Sequence, residues 1–240
     1  GLIDDRKSIS PIIKMTILTI ILYIVLKIDS SLVVKNLYFE SFSKNFSIKA
    51  IDVFFSVLCF LLFLNAVNMF DGINLQLGIY SILFLSYLIL IDVFISSLLI
   101  FIFIYVLVFL YLNHQNKIFL GDSGSLLLAY LLGYSVVKSY NYGEIKNVEE
   151  IFILMAIPGI DMLRLFVFRI LKNQSPFKGD RHHLHHYIFA KKNIIQTNLI
   201  IQGLICSTFV MMFYLNDLLI ILIILSIYLL LIIKFKQSLK

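Results

Sequence analysis

The chain has 240 residues, of which 60% are hydrophobic and 14% charged, with a net charge of +6 and a mean hydropathy of +0.97. A soluble domain carries about 45–50% apolar and about 25% charged residues, so an excess this large cannot be hidden in one water-facing core. These figures exclude a soluble cytosolic enzyme, a disordered chain and a disulfide scaffold, and they place the protein in a membrane.

Aromatic content, with 22 Phe and 13 Tyr but no Trp, suits lipid-facing helices with Tyr near the interfaces. Cys59 and Cys206 lie inside apolar runs and are expected as buried thiols. The positive balance fits anionic headgroups or phosphorylated substrates. No basic stripe interleaves with exposed aromatics, so nucleic acid is not an expected partner. The chain opens at Gly1 with no charged-then-apolar leader, so it is expected either to have been processed or to begin partway through a longer protein, and the motifs below favour the second.

Apolar runs long enough to span a bilayer fall at roughly 15–28, 51–67, 75–90, 93–112, 123–138, 151–171, 194–214 and 217–234. The expected fold is therefore all-α, a polytopic bundle of about eight spans forming a single integral-membrane domain over residues 1–240. The first, third and fifth spans carry Ser, Thr, Gly or Tyr, which suits bundle packing. Polar residues are dense in 1–14, 68–74, 113–122 and 172–193, and ordinary in 29–50, 91–92, 139–150 and 215–216. Two spans separate each dense segment from the next, so all four open on one face. That face holds Arg6, Lys7, Lys14, Lys117, Lys172, Lys178, Arg181, Lys191, Lys192 and the lysines of the tail. The other holds Lys27, Lys35, Lys44, Lys49, Lys138 and Lys146. By the positive-inside rule the dense face is cytoplasmic.

Four polar clusters follow in order along that face. Asp4 and Asp5 are adjacent carboxylates, which repel unless a cation or proton relieves them; a solvated helix end is the plainer reading. Asn65, Asn68 and Asp71 are spaced by three and share one helix face at the end of a span, followed by Gly72 as a turn and by Asn74. Polar groups there line a site or a wet cavity, against the alternative of a helix cap with interhelical hydrogen bonds. In Phe119-Leu120-Gly121-Asp122-Ser123-Gly124-Ser125 the glycines permit close ligand approach, and the helix starting near Ser123 offers free N–H groups. Asp122 reads as a ligand for Mg²⁺ beside phosphate, with a simple N-cap as the alternative. The fourth cluster, Asp180-Arg181-His182-His183-Leu184-His185-His186, admits a zinc site, an acid/base or phosphate-binding group, or a mere metal-binding tract. Upstream, Asp161 and Arg164 lie within a span, where ionisable groups suggest function, with an i,i+3 ion pair as the alternative.

Taken together, Asp4-Asp5, Asn65-x-x-Asn68-x-x-Asp71-Gly72, Phe119-x-Gly121-Asp122-x-Gly124-Ser125 and Asp180-Arg181-x-His183-Leu184-His185-His186 resemble the loop signatures of the polyprenyl-phosphate N-acetylhexosamine-1-phosphate transferases, of the glycosyltransferase family 4 type. The last motif looks more like the branch using UDP-N-acetylglucosamine-type donors than the peptidoglycan branch using UDP-MurNAc-pentapeptide. The resemblance implies a bacterial inner-membrane enzyme with its site on the cytoplasmic face. It would move N-acetylhexosamine-1-phosphate from a UDP-sugar to undecaprenyl phosphate, release UMP, and so initiate a lipid-linked cell-envelope glycan. It implies Mg²⁺, with Mn²⁺ as a substitute, held by Asp122. Asp4 or Asp5 would orient or deprotonate the lipid phosphate, and His183, His185 and His186 would act on phosphate or sugar together with Arg181. Asn65, Asn68, Asp71 and Asn74 would line the nucleotide pocket, with Phe119 on uracil. A lipid groove open to the bilayer is expected, and a homodimer is left open. Two departures stand out: Leu75-Gln76 occupies the place where the family commonly has Gly-Leu, and the family's N-terminal spans do not precede Asp4. The competing readings are a metal or proton transporter and an inactive homologue.

Overall fold

The structure is a computed structural model that describes residues 10–92, 95–176 and 180–236. Asp4 and Asp5 lie outside the described residues.

Eight long helices form on the apolar runs: α1 (Pro11–Ile28), α2 (Asp52–Phe70), α3 (Gln76–Ile91), α4 (Ser96–His114), α5 (Gly121–Tyr142), α6 (Val148–Leu171), α8 (Ile194–Met211) and α9 (Asp217–Lys236). A short helix α7 (Leu184–Phe189) precedes α8, and a hairpin of β1 (Asn36–Phe39) and β2 (Lys44–Ser47) follows α1. The fold is mostly helical, as expected, but among the described residues 6 helices are long and apolar enough to cross a membrane: α1, α2, α4, α6, α8 and α9. The expected eight is too many by that measure. Helix α3 has only 16 residues, and α5, though 22 residues long, carries Asp122, Lys138 and several serines and glycines.

Helix starts follow from side-chain chemistry. Ser10 accepts from the Ile13 N–H with Pro11 at the first turn of α1. Asn147 and Asn193 cap α6 and α8 by accepting from Glu150 N and Gln196 N, each at 2.8 Å. Helix α2 runs through the centre, packed on α1, α5 and α6; α3 and α4 pair beside it, and α8 and α9 close the bundle on α3 and α6. Its Phe60, Phe63, Leu64 and Val67 join Leu126, Ala129 and Leu132 of α5 in the core.

Pro158 lies inside α6 and has no N–H to give to the carbonyl of Leu154 one turn earlier. The hydroxyl of Tyr80, fully buried on α3, donates to that carbonyl at 3.1 Å. A carbonyl left bare among membrane helices is costly. Tyr80→Phe is therefore expected to destabilise the protein by about 1–3 kcal/mol, read as a lower unfolding midpoint in detergent. An unchanged midpoint would mean that the Leu154 carbonyl finds another donor.

Three expectations change here. Cys59 and Cys206 are exposed on their helix surfaces, because a membrane helix is apolar all round and its sequence does not separate core from lipid side. Helix α1 is largely exposed; its Thr16 and Thr19 hydroxyls donate to carbonyls of their own helix, Ile12 O and Met15 O, and bind no neighbour. Gly72 does not have a positive φ, whereas Leu75 does, at 72°. A non-glycine side chain thus takes the left-handed conformation at Leu75.

Helices α3 and α4 lie between the turn after α2 and the start of α5, and α5 and α6 lie between that start and the histidine segment, so the expected parity is met for these three clusters among the described residues. At the start of α2, Lys138 pairs with Asp29 at 3.0 Å, and Glu149 accepts the Ser41 N–H at 3.1 Å, strapping the hairpin to α6. The Asn, Asp and His clusters gather at the opposite end of the same helix.

Candidate active site

Helix α2 ends by presenting Asn68 on its last turn and Asp71 just beyond it. Helix α5 begins at Gly121, whose φ of 60° is the left-handed conformation that glycine adopts freely. Asp122 is therefore the second helical residue, not the cap, and the helix starts two residues earlier than Ser123. Its Oδ1 accepts from Asn68 Nδ2 at 3.3 Å, and its Oδ2 is paired with the Lys14 ammonium of α1. Ser125 Oγ donates to Asn68 Oδ1 at 3.3 Å, completing the link between the two helices. Asp71 lies close enough to feel the charge of Asp122: burial, and then that charge, push its carboxyl up to about 6.

The histidine segment comes down on the same turn from the other side. His185 is 1% exposed, its Nε2 is buried without a hydrogen-bond partner, and it rests against the Cα of Gly72. Its ring stacks on His183 at 5.3 Å, meets His186 at 4.2 Å and lies edge-on to Phe70 at 6.4 Å. Burial, then the neighbouring His186 and His183, hold the His185 ring down to about 3, so it is neutral at physiological pH. Burial, then the charges of His183 and Arg181, lower His186. Burial opposes the charge of Asp180, but the Arg169 guanidinium at 2.8 Å and the His182 N–H at 2.9 Å hold its carboxyl below the usual range.

The low His185 value has a stability consequence. Its proton affinity is lower folded than unfolded, so the unfolded chain takes up more protons in acid. Stability is present above about pH 6.5 and is lost as pH falls towards about 3, by up to about 1.4 kcal/mol per unit. His185→Gln should flatten that part of the pH–stability curve. A variant as acid-labile as the parent would assign the loss to other groups.

Beside the carboxylates lies a cavity of about 250 Å³ lined by Asp71, Gly72, Asn74, Asn113, Phe119 and Gly121. Phe119 is exposed at its edge. Asn74 donates to Asn116 Oδ1 at 2.6 Å, and the loop is fastened to α8 by Asn198 and Gln202, which donate to the carbonyls of Asn74 and Gln76. A second, apolar cavity of about 320 Å³ runs between α2, α5 and α6, from Val34 and Val148 to Ala66 and Leu163.

The structure thus brings Asn68, Asp71, Asn74, Phe119, Asp122, His183, His185 and His186 to one end of the bundle. It does not bring Asn65 to them: that amide donates to Leu61 O at 2.7 Å and to Met15 Sδ, because its side chain folds back along α2 towards α1. Arg181 is exposed beside the histidines. Sequence reasoning did not single out Lys14, Asn113, Asn198, Gln202 or Tyr228. A lone lysine at the head of an apolar span was the one signal that could have revealed Lys14.

A family described as glycosyl transferase family 4 matches residues 1–140. The chain belongs to that family. Among curated relatives, the undecaprenyl-phosphate alpha-N-acetylglucosaminyl 1-phosphate transferase of Escherichia coli (strain K12) is 28% identical over 200 residues, covering 78% of this chain and 54% of the relative. The proteins of the same name from Pasteurella multocida and Yersinia pestis are 31% and 35% identical over 112 and 79 residues. These cover 44% and 32% of this chain, and 31% and 21% of the relatives. The chain spans about half the length of the first of these relatives.

Two sets of side chains in this family member have donor atoms suited to a metal. Asp161, His183 and His185 each bring one ligand atom within 4.8 Å of the others and could hold an ion. Their nitrogen-rich set is of the zinc type rather than the magnesium type. Both Asp161 oxygens, however, already accept hydrogen bonds from protein donors. Asp122 and Asp71 offer oxygen only, and their mutual repulsion is what a divalent cation relieves.

Proposed function

We propose that this single membrane domain carries the catalytic centre of a bacterial inner-membrane enzyme, facing the cytoplasm, that transfers N-acetylhexosamine-1-phosphate from a UDP-sugar to undecaprenyl phosphate and releases UMP. The observation that carries this reading is the meeting of Asp122, Asn68 and Lys14, with Asp71 and His185 beside them, at one edge of the bundle. The names of the relatives point to the same acceptor and to an N-acetylglucosaminyl group.

Both reactants are anions, so neutralisation and alignment are the main catalytic terms. When bound, Mg²⁺, or Mn²⁺ in its place, would be held by Asp122 with Asp71 and would neutralise the donor diphosphate. Asn68 fixes the Asp122 carboxylate and Ser125 fixes Asn68, so the carboxylate is oriented before substrate arrives. The Lys14 ammonium supplies a positive charge beside the diphosphate. The polar cavity takes the nucleotide, with Asn74 on its wall and Phe119 at its edge for stacking on uracil. Neutral His185 and His186, with Arg181, offer donors to sugar and phosphate without requiring a charged ring. The lipid phosphate is already ionised at neutral pH, so Asp4 or Asp5 serves mainly to orient it. The apolar cavity between α2, α5 and α6 suits the isoprenoid.

The test is UMP release by the complete protein in detergent with undecaprenyl phosphate, Mg²⁺ and a panel of UDP-N-acetylhexosamines. Lipid-dependent release with one donor supports the reading and names the sugar. No release with any donor overturns it.

A further inference from the structure

Asp161 lies on α6, its side chain 5% exposed, in the part of the chain beyond the matched residues 1–140. Its Oδ1 accepts from Arg164 Nη2 at 2.8 Å, from the Tyr228 hydroxyl of α9 at 2.6 Å and from the Leu184 N–H at 3.2 Å. Its Oδ2 faces His183 Nδ1 at 2.7 Å and shares the Leu184 N–H at 3.3 Å. Arg164 also donates through Nη2 to the His182 carbonyl at 2.6 Å and through Nε to the Tyr228 oxygen at 2.7 Å. Residues 182–184 are therefore fastened through both backbone and side chain to α6, whose Asp161 and Arg164 are in turn bonded to Tyr228 of α9.

A buried ion pair adds little net stability over apolar packing, so an i,i+3 pair alone would not need this set of partners. What the set does determine is the proton on His183. A carboxylate paired with arginine is an acceptor in every one of these bonds, so the ring nitrogen facing it must be the donor. Nε2 is then the nitrogen left for other partners. This is how a carboxylate behind a histidine fixes the tautomer and orientation of a working imidazole.

We propose that Asp161 is a positioning residue that holds the His183 imidazole with its Nδ1 proton on the carboxylate, so that Nε2 is the nitrogen left for the reacting groups. The part of this that concerns turnover rests on the transferase reading; the tautomer does not.

The test is a ¹⁵N spectrum of the complete protein labelled at histidine, in detergent, with His183 assigned by loss of its signals in His183→Gln. Wild type is expected to show a protonated Nδ1. In Asp161→Asn, three donors already point at the Oδ1 side, so the amide oxygen takes that side and its NH₂ faces His183 Nδ1. That nitrogen must then accept, and the proton moves to Nε2. UMP release is expected to fall about 100-fold in kcat, with KM for the donor nearly unchanged. Tyr228→Phe removes one donor from the far oxygen and should leave the tautomer as in wild type. An unprotonated Nδ1 in wild type overturns the proposal, and that measurement stands even where Asp161→Asn does not fold. An unchanged tautomer in a folded Asp161→Asn, or a swapped tautomer with undiminished kcat, also overturns it. Absence of UMP release from wild type with the expected tautomer overturns the transferase reading instead.

Discussion

Asp122→Asn is expected to abolish UMP release, by at least about a thousandfold, while leaving the protein folded. Asparagine has the same shape, but one of the two oxygens that accept from Lys14 and Asn68 becomes a donor NH₂, so the substitution removes the charge and one of these bonds. On the proposed reading the centre would then lack the carboxylate that, with Asp71, holds the divalent cation and that pairs with Lys14. His182→Ala is the contrast, although it belongs to the same histidine run. The loop uses the backbone of His182: its N–H donates to Asp180 and its carbonyl accepts from Arg164. Alanine keeps both bonds. The exposed ring contributes a contact with the Tyr187 hydroxyl at 3.2 Å, and its loss should cost less than about tenfold. Equal losses in the two variants would sink the assignment of roles. So would full activity in EDTA, since it would leave Asp122 with no cation to hold.

Why the sequence revealed one part of this site and not another has a physical explanation. The positions of the long helices were legible because apolar length sets them, although only 6 are long and apolar enough to cross a membrane among the described residues, and the common end followed from counting helices. Asn68, Asp71 and Asp122 were legible because polar groups at span ends are expensive unless used. Composition could not say which face of a uniformly apolar helix meets lipid, and so Cys59 and Cys206 were placed on the wrong side. The Asn65-x-x-Asn68 spacing suggested a shared face, yet a three-residue step on a helix turns far enough for Asn65 to meet α1 instead. Tyr228 carried no signal, since one tyrosine on an apolar helix looks like any other. Its role exists only because α9 packs on α6 and α7, a contact between segments distant in the chain.

Gly72→Ala tests whether the histidine segment and the carboxylate turn act as one site. The backbone at Gly72 has no positive φ, so alanine there meets no conformational penalty, and any effect must come from the added methyl. That methyl would overlap His185 Nε2 and the carbons on either side of it. The ring has little room to retreat, being 1% exposed and packed between His183, His186 and Phe70. Overpacking of this kind costs about 1–3 kcal/mol, and a displacement of about 1 Å at a reacting centre can cost about 100-fold in rate. Both losses are expected together. Gly203→Ala, where the new Cβ has nothing within 4 Å, should show neither, and gains a little helix stability. Adding His185→Ala to Gly72→Ala removes the overlapping ring, so the two stability losses should add to less than their sum. Strict additivity would mean that Gly72 and His185 do not touch, and that the turn after α2 and the histidine helix are separate pieces of surface.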